Sequence, residues 1–331
     1  MKAGISDQRG PTWRTIYARG SPYVKYGFLL LALVFLVVFV YRQWNAIQQL
    51  QFQFVPGLLA LSVVFGLVGI AVGAVIWYML LCFTPHRLPF RVLLSAYGVS
   101  NLVKYIPGVI WSYATLAYSI EKRGVPRSMA LSSISLWVMV MIGTGLAASL
   151  PLLNLITANQ QWLAAYVILL ALVIVGLLAF HSERAWGLIN ALLRRMGRAE
   201  VAAAEFPPRG LIGAMFAGLG MWACFGIGFF LFCASLFPLN SQDLFFFGAA
   251  FAFAWIVGFV TPFSPAGLGM REGVLTVLLV PVLSPSAAVV VALLSRLWLV
   301  GADILMAGIA GLLIGAARRA ENDARDLSEQ E

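Results

Sequence analysis

Five ionisable side chains lie inside apolar stretches of this sequence: Lys104, Arg271, Glu272, Arg296 and Asp303. A charge held in hydrocarbon is costly, so such residues mark binding or transport sites by default. Three of the five sit where a helical pattern is interrupted. "KYIPGVIW" (Lys104 to Trp111) and "TPFSPAGLGMREG" (Thr261 to Gly273) place proline and glycine within long apolar runs. Proline ends one limb and presets the next, and glycine lets backbone approach a ligand closely. Helices that restart after Pro107-Gly108 and after Gly267-Leu268-Gly269 aim free N–H groups and positive dipole ends at an anion. The expected substrate-contact set is Lys104, Pro107 and Gly108 from the first break. The second break adds Ser264, Pro265, Gly267, Gly269, Arg271 and Glu272, and the last apolar run adds Arg296. Arg271 and Glu272 are adjacent and point different ways, so Arg271 can hold a phosphate. Arg296 can pair with Glu272 from the neighbouring limb. The competing structural readings are a snorkelling Lys104, a buried Glu272–Arg296 pair, and Asp303 bonded to nearby backbone.

The elements that position these residues follow from composition. The chain has 331 residues, of which 61% are hydrophobic and 11% charged. Soluble domains average about 45–50% apolar and about 25% charged. Several runs reach the ~20 residues that cross a bilayer. The fold class expected is all-α and polytopic, with no large soluble domain. The run 26–41 follows a polar and basic N-terminus and has no small-residue cleavage site after it, so it reads as an uncleaved span. The net charge of +9 comes from loops, where lysine and arginine set orientation and meet anionic headgroups. Nucleic acid is not an expected partner.

Six segments are long enough to span: about 26–41, 56–83, 129–153, 162–180, 211–237 and 287–316. Sorting the loops by Lys and Arg places the N-terminus, 84–91, 121–127, 181–210 and the tail in the cytoplasm. It places 42–55, 154–161 and 238–243 outside. Residues 92–119 leave and re-enter the cytoplasmic side. Their first limb of about 12 residues covers roughly 18 Å, too short to cross. They read as a re-entrant hairpin. Residues 244–284 behave likewise from the other side, with a full span plus a short return helix as the alternative. The chain then divides into a basic segment 1–25, a membrane domain 26–316 and a polar tail 317–331. Within the domain, about 56–153 and about 211–316 form an inverted repeat. A weak echo accompanies it: "VPRSMALSSISLW" (125–137) against "SPSAAVVVALLSRLW" (284–298). Paired interruptions in two inverted halves are the best sequence pointer to a transporter's substrate site.

Other features point away from chemistry. Cys82, Cys224 and Cys233 lie in apolar runs and imply neither a disulfide framework nor a metal site. His86 and His181 sit beside basic loops. No nucleophile–base pair, paired carboxylates or metal ligands stand out, so neither an enzyme nor a cofactor is expected. Gly69-xxx-Gly73 and Gly311-xxx-Gly315 read as close helix packing. The aromatic run "DLFFFGAAFAFAW" (243–255) reads as a packing or lipid-facing surface, or as a groove for a lipid tail.

With these residues in view, the chain resembles the lysylphosphatidylglycerol synthase transmembrane-region family, the flippase-like membrane portion of those proteins. The resemblance rests on "PFSPAGLGMREG" (262–273) followed by "SRLW" (295–298), and on "NLVKYIPGVIW" (101–111) and "RGVPRSMALSS" (123–133). It covers about 20–316. It implies translocation of a lipid or of a lipid-linked headgroup, and some stand-alone members are associated with polyprenyl-linked glycan pathways. The chain stops shortly after the last span, so the soluble synthase domain of two-part members is not expected. Where members often carry charged residues after "MALSS", this chain has Leu136, Trp137, Val138 and Met141. That points away from a lysyl-phosphatidylglycerol substrate.

The leading expectation is a transporter of an anionic lipid, of phospholipid or polyprenyl-phosphate type, in the cytoplasmic membrane. The alternatives are an ion-coupled transporter of a small solute that uses Glu272 and Asp303 as proton carriers, and a non-transporting partner of a lipid-linked glycosyltransferase. A homo-oligomer is open. The topology is directly testable: a cysteine placed at Asn159 reacts with an impermeant reagent added outside, and one placed at Gly197 does not. The reverse pattern removes the inverted repeat.

Overall fold

The computed structural model describes residues 52–82, 86, 88–104, 110–158, 160–180, 182–195, 208–261, 267 and 269–328. Among them are eleven α-helices and no strand. In chain order these are α1 (Pro56–Cys82), α2 (Phe90–Val103), α3 (Ile110–Glu121), α4 (Arg127–Ala148), α5 (Leu153–Ala158) and α6 (Gln160–Phe180). There follow α7 (Glu183–Arg195), α8 (Pro208–Ala234), α9 (Leu244–Val260), α10 (Met270–Leu279) and α11 (Pro285–Ser328). The expected span 26–41 lies outside the described residues, as do Pro107, Gly108, Ser264 and Pro265.

Six of the described helical stretches are long and apolar enough to cross a membrane: Pro56–Cys82, Arg127–Ala148, Gln160–Ala179, Arg209–Ala234, Ser241–Val260 and Pro285–Leu313. Five match expected spans. The sixth is the first limb of the second hairpin. A 3-10 turn at Ser241–Asp243 runs directly into α9 and lengthens it to 20 residues. By contrast α2, α3 and α10 have 14, 12 and 10 residues. At ~1.5 Å per residue each falls short of a ~30 Å core.

Helix starts follow local chemistry. Pro89 and Pro126 precede α2 and α4, and Pro285 opens α11. Proline suits this place because a first-turn N–H needs no partner within the helix. Ser284 Oγ accepts the Ala287 N–H at 3.3 Å and caps α11. That helix continues to Ser328, so much of the tail expected from 317 onward prolongs it. Residues 183–195, read from sequence only as part of a basic loop, form α7. Its Trp186 is buried while Arg184, Leu188, Arg194 and Arg195 are exposed.

Packing reveals how the halves correspond. Let α1, α2, α3 and α4 exchange with α8, α9, α10 and α11. Then α1–α2 maps onto α8–α9, α2–α3 onto α9–α10, and α3–α4 onto α10–α11. Likewise α1–α4 maps onto α8–α11, α1–α11 onto α8–α4, and α2–α11 onto α9–α4. Every one of these pairs is in contact, and α1–α8, which maps onto itself, is the most extensive interface. The exchange also reverses direction. The Gln53 and Val55 N–H groups ahead of α1 donate to Leu236 O and Ser235 O after α8, each at 3.0 Å. Farther along, Gly69 meets Phe225, Gly73 meets Met221 and Gly213 meets Met79. The corresponding helices α1 and α8 are therefore antiparallel.

Small residues allow this approach, as expected where lipid supplies no hydrophobic drive between helices. A Cβ at Gly69 would sit 3.1 Å from the Phe225 ring, and one at Gly226 would sit 3.0 Å from the Gly248 Cα. Gly69-xxx-Gly73 thus serves helix packing. Among the described residues, none comes within 4 Å of the Gly311 Cβ position. Indole N–H groups staple the core: Trp77 donates to Ser133 Oγ at 3.2 Å, Trp137 to Gly73 O at 2.9 Å and Trp222 to Met141 O at 3.0 Å. In the aromatic run, Phe247, Phe251 and Phe253 are buried and Phe245 is exposed, so it is mainly a packing surface.

The α8–α9 contact gives a clean prediction. Gly226→Ala forces backbone apart and lowers stability by about 1–3 kcal/mol. Gly220→Ala, on the same helix with nothing within 4 Å, is neutral or stabilising by up to ~1 kcal/mol. Unfolding of the two variants in mild detergent checks this, and equal shifts contradict the close crossing.

Candidate functional site

A cavity of about 130 Å³ lies between α1, α2, α3 and α4 of the first half and α8, α9, α10 and α11 of the second. It has room for several waters or a polar headgroup. Lys104, Arg271, Arg296 and Asp303 line it together with Ser100, Asn101 and Ser112.

Lys104 is the residue at which α2 ends. A cation suits that helix terminus, where carbonyls lose their partners. Its Nζ lies 2.7 Å from Asp303 Oδ2 on α11. Asp303 is 1% exposed, whereas the lysine side chain is 31% exposed. This adds to two expectations: Lys104 has a carboxylate partner brought from the far end of the chain, and Asp303 pairs with a side chain.

Arg271 is the second residue of α10 and is 7% exposed. Its guanidinium carbon lies 5.0 Å from the Phe251 ring centroid, a cation–π distance. Two glycines make its seat. A Cβ at Gly258 would lie 2.8 Å from the arginine Cβ, and one at Gly267 would lie 2.9 Å from the Gly258 Cα. Gly267 also has φ +71°, and Gly269, just before α10, has φ +85°. Both values favour glycine.

Glu272 occupies the third position of α10 and turns back. Its Oε2 accepts the Gly269 N–H at 2.7 Å, and its Oε1 accepts from Arg296 Nη1 at 2.7 Å. Glu272 is thus held by Arg296 from the neighbouring helix. The helix N-terminus expected to present bare N–H groups to a ligand is occupied at Gly269 by its own carboxylate, as a first-turn acid suits the dipole.

The two ion pairs differ in what they connect. Glu272–Arg296 joins α10 to α11 within one half. Lys104–Asp303 joins α2 to α11 and so crosses between halves.

The rest of the wall is aromatic. Trp255 and Phe259 stack with centroids 5.2 Å apart, and Trp222 meets Trp255 at 5.5 Å. Tyr97 meets Trp137 at 5.6 Å, and Tyr113 bridges Trp137 and Phe259 at 6.4 and 6.3 Å. An apolar crevice between α3, α4 and α9 shares Tyr113, Trp137, Met141, Trp255 and Phe259 with the cavity and adds Val138 and Ile142. Charge and a closed apolar seam thus adjoin one another.

Of the residues singled out in sequence, Lys104, Gly267, Arg271 and Arg296 line the cavity. Glu272 orients Arg296, and Gly269 starts α10. Sequence reasoning missed the aromatic wall and left Asp303 out of the site. Asp303 carried a signal, as a charge within an apolar run. Trp137 carried another, in the echo with Trp298. Among the described residues no group of histidine, cysteine or acidic side chains could hold a metal ion.

A comparison with curated proteins found no match. A sequence profile described as "Lysylphosphatidylglycerol synthase TM region" matches residues 25–306. This range includes both interruptions, the cavity and all five intramembrane charges. The chain belongs to the lysylphosphatidylglycerol synthase TM-region family.

Proposed function

We propose that this membrane protein translocates an anionic lipid, with the headgroup phosphate held between Lys104 and Arg271. The observation that carries the reading is the meeting, in one cavity, of cations from both halves of the chain. A chain that begins as a headgroup and ends as hydrocarbon fits the rest of the wall. The charged end takes the phosphate, and the aromatic and apolar groups that line the rest of the cavity suit the start of the tail. That apolar lining favours a lipid over a small soluble anion. Arginine suits the phosphate because its planar fork offers paired donors. The role is transport and not synthesis, in the cytoplasmic membrane with both termini inside.

Arg271→Lys is the cleaner test, since it keeps the charge and leaves the Glu272–Arg296 pair alone. Lys104→Ala leaves Asp303 without its lysine, so protein level in the membrane is measured beside it. Losing a charge-assisted hydrogen bond is worth about 1.5–3 kcal/mol. That predicts a fall of roughly 10- to 150-fold in lipid binding and a matching drop in transport by reconstituted vesicles. Normal rates in both variants, with both folded, contradict the proposal.

A further inference from the structure

A buried donor without an acceptor is costly, so one that persists in a packed core needs an explanation. Trp298 on α11 is such a case. It is 6% exposed, and among the described residues its indole N–H finds no acceptor. Its counterpart in the other half does. Aligning "SLW" (135–137) with "RLW" (296–298) pairs Trp298 with Trp137 on α4. The exchange of helix contacts pairs α11 with α4 independently. Trp137 donates its N–H to Gly73 O on α1 at 2.9 Å. The same exchange carries α1 onto α8. Aligning the helix starts, Pro56 with Pro208, takes Gly73 to Phe225. Exchanging the facing residues Gly69 and Phe225 takes it to Phe229. Gly226 and Gly228 lie between these limits, and Gly228 is the one that meets Trp298. A Cβ at Gly228 would sit 3.1 Å from Trp298 Cζ2, and one at Gly66 on α1 would sit 3.1 Å from the same atom. The second half thus has the ring and the glycine in place, and lacks the bond.

We propose that Trp137 and Trp298 are paired latches that close in turn as the protein alternates between two states. In the present structure Trp137 holds α4 to α1, and the Trp298 latch is open. In the opposite state α11 shifts against α8, Trp298 donates to Gly228 O, and the Trp137–Gly73 bond breaks. Exchanging the conformations of two inverted halves turns a cavity open to one side into a cavity open to the other. The antiparallel α1–α8 pair is the crossing about which they exchange. The latches also balance the states. Each state has one indole bonded and one buried without an acceptor, so the pair favours neither, and a transporter needs both populated. Both latches reach the cavity. Trp137 lines it. Trp298 meets the Phe251 ring at 5.8 Å, and that ring carries the Arg271 guanidinium at 5.0 Å. The inference goes beyond the lipid reading and does not depend on what the cavity carries.

The test reads the cavity from both sides of the membrane. Cys82, Cys224 and Cys233 are replaced by alanine, and Ser100→Cys puts a thiol in the cavity lining. An impermeant thiol reagent is applied to right-side-out and to inverted membrane vesicles that hold the full-length chain. The ratio of the two labelling rates follows the ratio of the two states. Trp137→Phe removes the bond of the present structure, and Trp298→Phe removes the bond made in the other state. Each moves the ratio by roughly 2- to 10-fold, the worth of one net hydrogen bond, and the two move it in opposite directions. Phenylalanine also shrinks the ring. Each position is therefore tested again with 3-benzothienylalanine, which keeps the bicyclic shape and has sulfur in place of the N–H. It gives the same opposite shifts, and it decides alone where a phenylalanine variant fails to fold. Shifts in one direction, no shift at either position or at one of them, or shifts that the benzothienyl side chain does not reproduce overturn the proposal, and Trp298 is then held by packing alone. Labelling from one side only, or from neither, in every variant overturns it too, because the cavity then does not alternate. Lipid binding is untouched by any of these results, since the labelling does not measure it.

Discussion

A charge at membrane depth must find its counter-charge inside the protein, and much of this structure follows from that requirement. Asp303 is almost fully buried in the last long helix and is met by Lys104 at the end of a helix that stops short. Glu272 is met by Arg296, and its second oxygen closes the start of α10. Arg271 lies against the face of Phe251 in a seat that only glycine at 258 and 267 leaves open. Each of these arrangements needs a helix that begins or ends within the bundle. Irregular backbone at that depth persists only where protein or a water-filled cavity covers it. The interruptions and the charges are thus one feature.

The antiparallel pairing of α1 with α8 gives that feature a direction. Contacts are preserved when the halves exchange, and the broadest interface pairs α1 with α8. Glu272–Arg296 lies inside the second half and can travel with it as a unit. Lys104–Asp303 crosses the junction, so any rocking of one half against the other must stretch or renew it. An anion between the halves would touch both sides of that junction, which is what alternating access to a fixed site requires.

Much of the fold was legible in the sequence because its signals are local. Apolar runs of the right length gave five of the six long helices found here, and proline and glycine marked the interruptions. The limb at 244–260 was ambiguous because charge parity does not distinguish a hairpin from a span with a return helix. Its extension to Ser241 depends on a 3-10 turn that hydropathy does not register. The helix α7 was hidden by its arginines, which made it resemble a loop. In the site, Glu272 and Arg296 could be paired on paper because α10 and α11 are sequence neighbours. Lys104 and Asp303 could not, since only the packing of α2 on α11 brings them together. The aromatic wall was illegible for the same reason: its rings come from α2, α3, α4, α8 and α9, and each alone looks like ordinary membrane packing.

The central claim is that a lipid headgroup enters the cavity between the halves. The most direct measurement places the photo-crosslinking residue p-benzoylphenylalanine at Met141, which lines both cavity and crevice. The comparison position is Leu172, exposed on α6. Radiolabelled phosphatidylglycerol is present in the vesicles. The account predicts crosslinking at Met141 that saturates, is competed by short-chain phosphatidylglycerol, and is lost with Arg271→Gln. Crosslinking at Leu172 should rise with lipid content and ignore both. Unsaturable labelling of equal strength at the two positions, indifferent to Arg271, would show that lipid only surrounds the protein and would contradict the account.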